Sequence, residues 1–142
     1  VETPQVSDCI FCQIASGQLP AATVVETDDI LVILDAFPSS QGHSLILPKA
    51  HHTDLMQMPP DLLAQCAKAS RQVAQALMQA LEPDGIAVTQ FNGAAAGQTV
   101  FHYHQHVIPR WQGQDWRSHG RVKADIEDLH ALAERIRASL DW

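Results

Sequence analysis

Apolar and polar positions change period several times along this chain, and each change predicts an element. Cys9 to Ser16 has helical spacing, is closed by Gly17, and is kept from continuing by Pro20. Two segments rich in β-branched residues follow, Thr23 to Glu26 and Ile30 to Asp35, joined by a turn around Thr27, Asp28 and Asp29. Pro38 to Gly42 reads as a loop, and His43 to Leu47 as a third strand stopped by Pro48. Asp61 to Leu81 predicts the long helix. Leu62, Cys66, Val73, Leu77 and Leu81 share one side of it, and Gln65, Lys68, Arg71, Gln72, Gln75 and Gln79 the other. Cys66 therefore reads as core packing. A fourth strand runs from Ile86 to Phe91 and a fifth from Thr99 to Ile108, stopped by Pro109. A last helix covers residues 125–140, with Asp125 and Asp128 placed as a variant capping box. This order, with its short links, predicts an α+β fold. It consists of an antiparallel five-stranded sheet, one long central helix and short terminal helices, in a single domain over residues 1–142.

Composition narrows the partners. With 16 acidic against 9 basic residues and a net charge of −7, the chain has no Lys/Arg cluster, so nucleic acid is not expected as a partner. A small anion remains possible, because backbone N–H groups bind phosphate locally. The longest apolar run, Ile30 to Leu34, is strand-sized, so no membrane span is expected. The first residues lack the basic-then-apolar layout of a signal peptide, and three cysteines do not make a secreted disulfide framework. Both point to the cytoplasm.

The run His102-Tyr103-His104-Gln105-His106 is the strongest local signal. On a strand its three imidazoles share one face, about 6–7 Å apart, while Tyr103 and Gln105 point the other way. Such a row can flank one ligand, hold a catalytic metal, or simply face solvent.

Cys9-Ile10-Phe11-Cys12 offers two thiolates at metal-knuckle spacing. A thioredoxin-type redox motif needs a preceding strand, which is missing here. Tetrahedral zinc needs two further ligands; His51 and His102 are the natural candidates, with His52 competing. Asn92-Gly93-Ala94-Ala95-Ala96-Gly97-Gln98-Thr99 lies just before the histidines. Its small residues let backbone amides approach an anion, and Thr99 adds a hydroxyl, although this is not a Walker loop.

Taken together, these segments resemble the histidine triad family, whose motif alternates three histidines with apolar residues. Val100 to Arg110 matches it, with Gln105 as a polar departure. Asp35-Ala36-Phe37-Pro38 through Gly42-His43-Ser44-Leu45-Ile46-Leu47-Pro48-Lys49-Ala50-His51 looks like the family's central block. Cys9-Ile10-Phe11-Cys12 with Gly17, Leu19 and Pro20 looks like its N-terminal block, so the likeness spans about residues 9–111. The resemblance implies a homodimer that hydrolyses or transfers at the α-phosphate of a nucleotide, for which a purine base is expected. His104 is then the nucleophile, and Cys9, Cys12, His51 and His102 hold a structural zinc, with no organic cofactor. Asp35 falls where ribose hydroxyls are bound. Asn92, Gly97, Gln98 and Thr99 fall where phosphate is contacted. Phe11, Ile14, Leu19 and Ile33 fall where a slot for the base is built. His43 matches a supporting histidine.

Chemically, imidazole is a good nucleophile near neutral pH and a good leaving group from phosphorus, which favours a two-step route. A backbone carbonyl should hold the second nitrogen of His104, and His106 with the Gly97–Thr99 amides should face the equatorial oxygens. His43, or a hydrogen bond linked to His106, would assist the leaving group. The substrate is then a nucleoside phosphoramidate or a dinucleoside polyphosphate. Two other classes compete: a nucleotide sensor without turnover, and a metal-dependent hydrolase using the triad as ligands. Trp111, Asp115 and Trp116 follow the triad and could shape the leaving-group side, a dimer contact or the core.

Overall fold

The protein is described here by a computed structural model covering residues 6–115, 120 and 122–142; Trp116 lies outside the described residues. Its elements in chain order are α1 (Ile10–Ala15), β1 (Thr23–Glu26), β2 (Ile30–Leu34) and β3 (Ser44–Pro48). A 3-10 turn (Leu55–Gln57) leads to α2 (Pro60–Leu81) and β4 (Gly85–Thr89). A second 3-10 turn (Ala94–Ala96) precedes β5 (Gln105–Arg110) and α3 (Ile126–Ala138). Among the described residues the strands form one five-stranded sheet in the order β1-β2-β3-β5-β4, antiparallel throughout. This is the α+β architecture that the apolar periodicity predicts.

The sheet separates two apolar clusters. On one face Val24, Val32, Ile46 and Val107 meet Val73 and Leu77 of α2 and Leu129 and Ile136 of α3. On the other, Phe11 of α1 covers Leu31, Ile33, Leu45 and Leu47. Residues alternate between faces along each strand, which is why a fully buried strand such as β2 serves both clusters. Cys66 is completely buried against the first cluster, and burial pushes its thiol up to about 12.

Helix ends follow local chemistry. The Asp125 carboxylate accepts from the backbone N–H groups of Glu127 and Asp128, and Arg135 and Arg137 occupy the last turn of α3, complementing its dipole. Arg137 also donates to the carbonyls of Thr23 and Val24, which covers the outer edge of β1. Gly42 enters β3 at φ +88, and a Cβ there would lie 2.7 Å from Leu81 Cδ1 and 2.9 Å from Leu77 Cδ2. Only glycine brings the loop before His43 that close to α2.

Two strand boundaries differ from the sequence expectation. The fifth strand was expected over Thr99 to Ile108 but runs Gln105–Arg110, so His102 and His104 precede the ladder and only His106 lies within it. β4 ends at Thr89, opposite His106, and the β3 ladder ends at the Ile46–Gln105 pair while β3 itself runs on to Pro48, so neither neighbour continues the pairing. Pro109, expected to stop the strand, lies inside it. Its β3-side edge carries no ladder beyond Val107, and its carbonyl instead accepts from Ser40 Oγ. The fourth strand likewise stops at Thr89 rather than Phe91, as Gln90 and Asn92 pair through their side-chain amides.

Candidate active site and metal centre

The site is built on the sheet face that carries Phe11. One row of paired residues runs across that face from Ile33 on β2 to Leu45 on β3, His106 on β5 and Thr89 on β4. The apolar end of the row lies under α1, and its imidazole end lies beside the irregular segment that carries His102 and His104.

Hydrogen bonds fix the state of each ring. The backbone N–H of Ser39 donates to His43 Nδ1 at 2.9 Å, so the neutral ring carries its proton on Nε2. That Nε2–H donates to His106 Nδ1 at 2.9 Å, with the Asp35 carboxylate 3.5 Å away on the same side. His106 then keeps its own proton on Nε2, as a donor. His104 Nδ1–H donates to the carbonyl of His102 at 2.7 Å, which puts the lone pair of His104 on Nε2. The His104 and His106 rings meet edge to face with centroids 4.9 Å apart. The expected separation of about 6–7 Å is therefore corrected to a closer one, although the rings do not stack. His104 sits outside the regular strand, so its ring leans toward its neighbour instead of standing parallel to it. All four rings are buried, His104 the least so.

The metal-ligating group forms at the other end of the segment. His102 Nε2–H donates to the Pro48 carbonyl at 2.7 Å, which turns the Nδ1 lone pair toward the two thiols. Nδ1 of His102 lies 3.4 Å from Cys9 Sγ and 3.5 Å from Cys12 Sγ, and His51 Nδ1 lies 3.3 Å from Cys12 Sγ. Bonds of about 2.3 Å to sulfur and about 2.0–2.1 Å to nitrogen in a tetrahedron give edges of this length. The four donors Cys9, Cys12, His51 and His102 fit zinc, and His51 rather than His52 completes the set. Burial lowers His51 and holds His102 down at about 4, against a smaller opposing effect of the Pro48 bond, so both rings are neutral and able to ligate at neutral pH. Burial raises the Cys12 thiol, although the Val6 N–H donated to its sulfur acts the other way.

Asp35, His43 and His106 also cluster. The Ser39 donor keeps the His43 proton on Nε2, so that nitrogen is a donor and not a metal ligand. His102 aims its ligating nitrogen at the cysteines, so the three triad rings do not converge on one ion, against the metal-dependent alternative.

The remaining expected residues divide into those placed at the site and those held elsewhere. Phe11 and Ile33 are buried in the apolar cluster, with Ile14 packed at its margin, and Phe11 meets His104 edge-on at 4.9 Å. Leu19 is exposed and lies outside that cluster. Asp35 is buried, accepting from Phe37 N–H as well as facing His43. Gly97 and Thr99 lie exposed on the loop. Gln98 is buried, and its side chain holds the loop: Oε1 accepts from Gly93 N–H, and Nε2 donates to the Thr53 and Val100 carbonyls. Asn92 is tied in a reciprocal pair with Gln90 and accepts from Leu55 N–H. Sequence reasoning missed Ser39 and Pro48, which act through the backbone and leave no side-chain signature. It also missed Leu31, Leu45 and Leu47, whose strand alternation does mark them.

Residues 16–113 match the HIT domain family. The chain belongs to that family. It is 39% identical over 141 residues to the adenylylsulfatase HINT3 of Arabidopsis thaliana, covering 94% of this chain and 72% of that protein. A crystal structure of a Hit-like protein from Bartonella henselae superposes with a TM-score of 0.90 at 34% identity, covering 96% of this chain and 99% of that one. A zinc-bound histidine triad family protein from Mycobacterium smegmatis superposes with a TM-score of 0.82 at 36% identity, covering 93% and 92%. This HIT protein thus shares its fold with a zinc-bound relative and carries a Cys/His cluster that fits the same ion. Among the described residues no helix is long and apolar enough to cross a membrane.

The state of His102 sets a pH dependence for the metal-free chain. When folded, His102 takes up a proton only near pH 4, whereas an unfolded histidine does so near 6.5. Between these values the unfolded state binds more protons, so acidification through the window costs stability. Thermal melts of chelator-treated protein should show the midpoint falling as pH drops below about 6.5. His102→Asn should flatten that fall, and an equal slope in the variant would remove His102 as its cause.

Proposed function

We propose that this chain is a nucleotide-binding hydrolase that acts at the α-phosphorus through a nucleotidyl-histidine intermediate. The observation that carries the reading is the His104 Nδ1–H donated to the His102 carbonyl, which leaves Nε2 as the attacking atom beside the His106 donor. In the first step Nε2 of His104 bonds to phosphorus as the bond to the leaving group breaks. His106 and the exposed Gly97 and Thr99 groups face the oxygens that gain charge. The chain from Ser39 through His43 to His106 keeps a proton beside the leaving group. Water then takes the phosphorus from His104, releasing a nucleoside monophosphate and restoring the imidazole.

The same row across the sheet supports a substrate class. Ile33 and His106 are two strands apart, about 10 Å, which suits a base held at the margin of the Phe11 cluster with its α-phosphate at the histidines. Asp35 stands near the histidines to bind ribose. A purine phosphoramidate and a dinucleoside polyphosphate both present the required phosphorus, and so does the adenylyl sulfate named in the Arabidopsis relative. Zinc at Cys9, Cys12, His51 and His102 serves structure, tying α1 to the segment that carries the nucleophile. Free thiols at all three cysteines suit the cytoplasm.

A homodimer completes the reading. Among the described residues β4 is an edge strand, with its own Val88 exposed and Met78 of α2 exposed as well. An uncovered edge flanked by apolar side chains invites pairing with a second copy.

Three outcomes are expected. His104→Ala should lose turnover by about 1,000-fold or more while still binding nucleotide. Intact-mass analysis should show a nucleotidyl adduct on the unmodified chain only, and near-normal turnover in the variant would exclude His104 as nucleophile. Elemental analysis should find about one zinc per chain, lost in Cys12→Ser. Light scattering should give a dimer that Val88→Asp converts to monomer; a monomeric unmodified chain would refute the pairing.

A further inference from the structure

Gln105 breaks the apolar alternation of the triad motif, and nothing in the proposed reaction uses it. The structure shows where its amide goes. Gln105 is buried on the face opposite the histidines, toward α2. Its Nε2 donates to Tyr103 Oη at 2.7 Å, and its Oε1 accepts from Ser70 Oγ on α2. Tyr103 is 1% exposed and Ser70 6%. The two residues that alternate with the histidines are thus bonded to each other behind them, and the pair is anchored on the long helix.

This arrangement matters because residues 102–104 precede β5 and have no ladder on either side. Tyr103 N–H donates to the His52 carbonyl at 2.6 Å, His102 is held at Pro48, and His104 is held by the His102 carbonyl. An apolar contact tolerates sliding, whereas a hydrogen bond weakens with small changes of distance and angle. A Tyr103–Gln105 bond therefore restrains the segment between them, and His104 is the residue in between.

We propose that Gln105, with Tyr103 and Ser70, is a positioning residue for the nucleophile. It clasps the back of the triad segment and so holds the His104 ring at its angle to His106. The proposal rests on the reading of His104 as the attacking group.

The test uses the full chain and two variants, Gln105→Leu and the combined Ser70→Ala/Tyr103→Phe/Gln105→Leu. Gln105→Leu removes the described partner of the buried Tyr103 hydroxyl, while Ser70 Oγ keeps the Cys66 carbonyl as acceptor, so the variant should lose both stability and rate. The combined variant removes all three polar groups at once, and its melting temperature should return close to that of the unmodified chain. Its single-turnover rate of adduct formation should nevertheless stay about 10-fold or more low, with nucleotide Kd within about twofold. A combined variant that regains rate along with stability overturns the proposal, because the amide was then only a satisfied core group. An unchanged rate in Gln105→Leu overturns it as well.

A readout independent of turnover is the His104 Nδ1–H resonance in nitrogen-labelled protein. It should be sharp in the unmodified chain and broadened by exchange in the combined variant. Equal sharpness in both overturns the clasp. If the unmodified chain forms no adduct, the nucleophile reading fails, and this resonance still decides whether the clasp holds the ring.

Discussion

The carbonyl of His102 accepts the Nδ1 proton of His104, and the ring of the same residue gives its Nε2 proton to Pro48 while turning Nδ1 toward Cys9 and Cys12. One residue therefore joins the metal-ligating group to the proposed nucleophile through a single peptide unit. Rotating the His102 ring would break the Pro48 bond and spoil the donor set. Moving its backbone would release His104. The buried setting makes each of these bonds costly to leave unmade, so the arrangement is fixed as a whole.

The rest of the fold serves that constraint from both faces of the sheet. On one side α2 and α3 supply the larger apolar cluster, against which the segment presses Tyr103 and Gln105. On the other, α1 carries Phe11 between the two cysteines, so the residue that covers the apolar cluster also touches the His102 and His104 rings. Filling the space between α1 and β2–β3 with Leu31, Ile33, Leu45 and Leu47 leaves the histidines at the margin of an apolar surface. That placement suits a ligand with a flat base at one end and a phosphate at the other.

Membership of the HIT family accounts for the order of the blocks and the shape of the fold. It does not account for Gln105, where this chain departs from the alternating pattern. The departure is compensated inside the same molecule: Ser70 lies on the buried side of α2 opposite it, and Tyr103 offers an acceptor two residues away. A buried amide with both ends satisfied specifies position in a way that a leucine does not.

Much of this was legible in the sequence. The period of apolar residues determined three helices, five strands and the faces they bury, because burial is a property of each segment's own pattern. The Cys-x-x-Cys spacing and the run of alternating histidines marked the chemistry, because ligands and nucleophiles are side chains with known preferences. The tertiary structure decided the rest. Whether Thr99 to His104 forms strand depended on where pairing with β3 and β4 stops, which the segment's own residues do not encode. The choice of His51 over His52 depended on which ring reached Cys12. The proton positions on His43, His104 and His106 depended on Ser39 N–H and the His102 carbonyl, backbone groups that every residue carries alike and that acquire a role only when folding brings them within about 3 Å of a ring nitrogen.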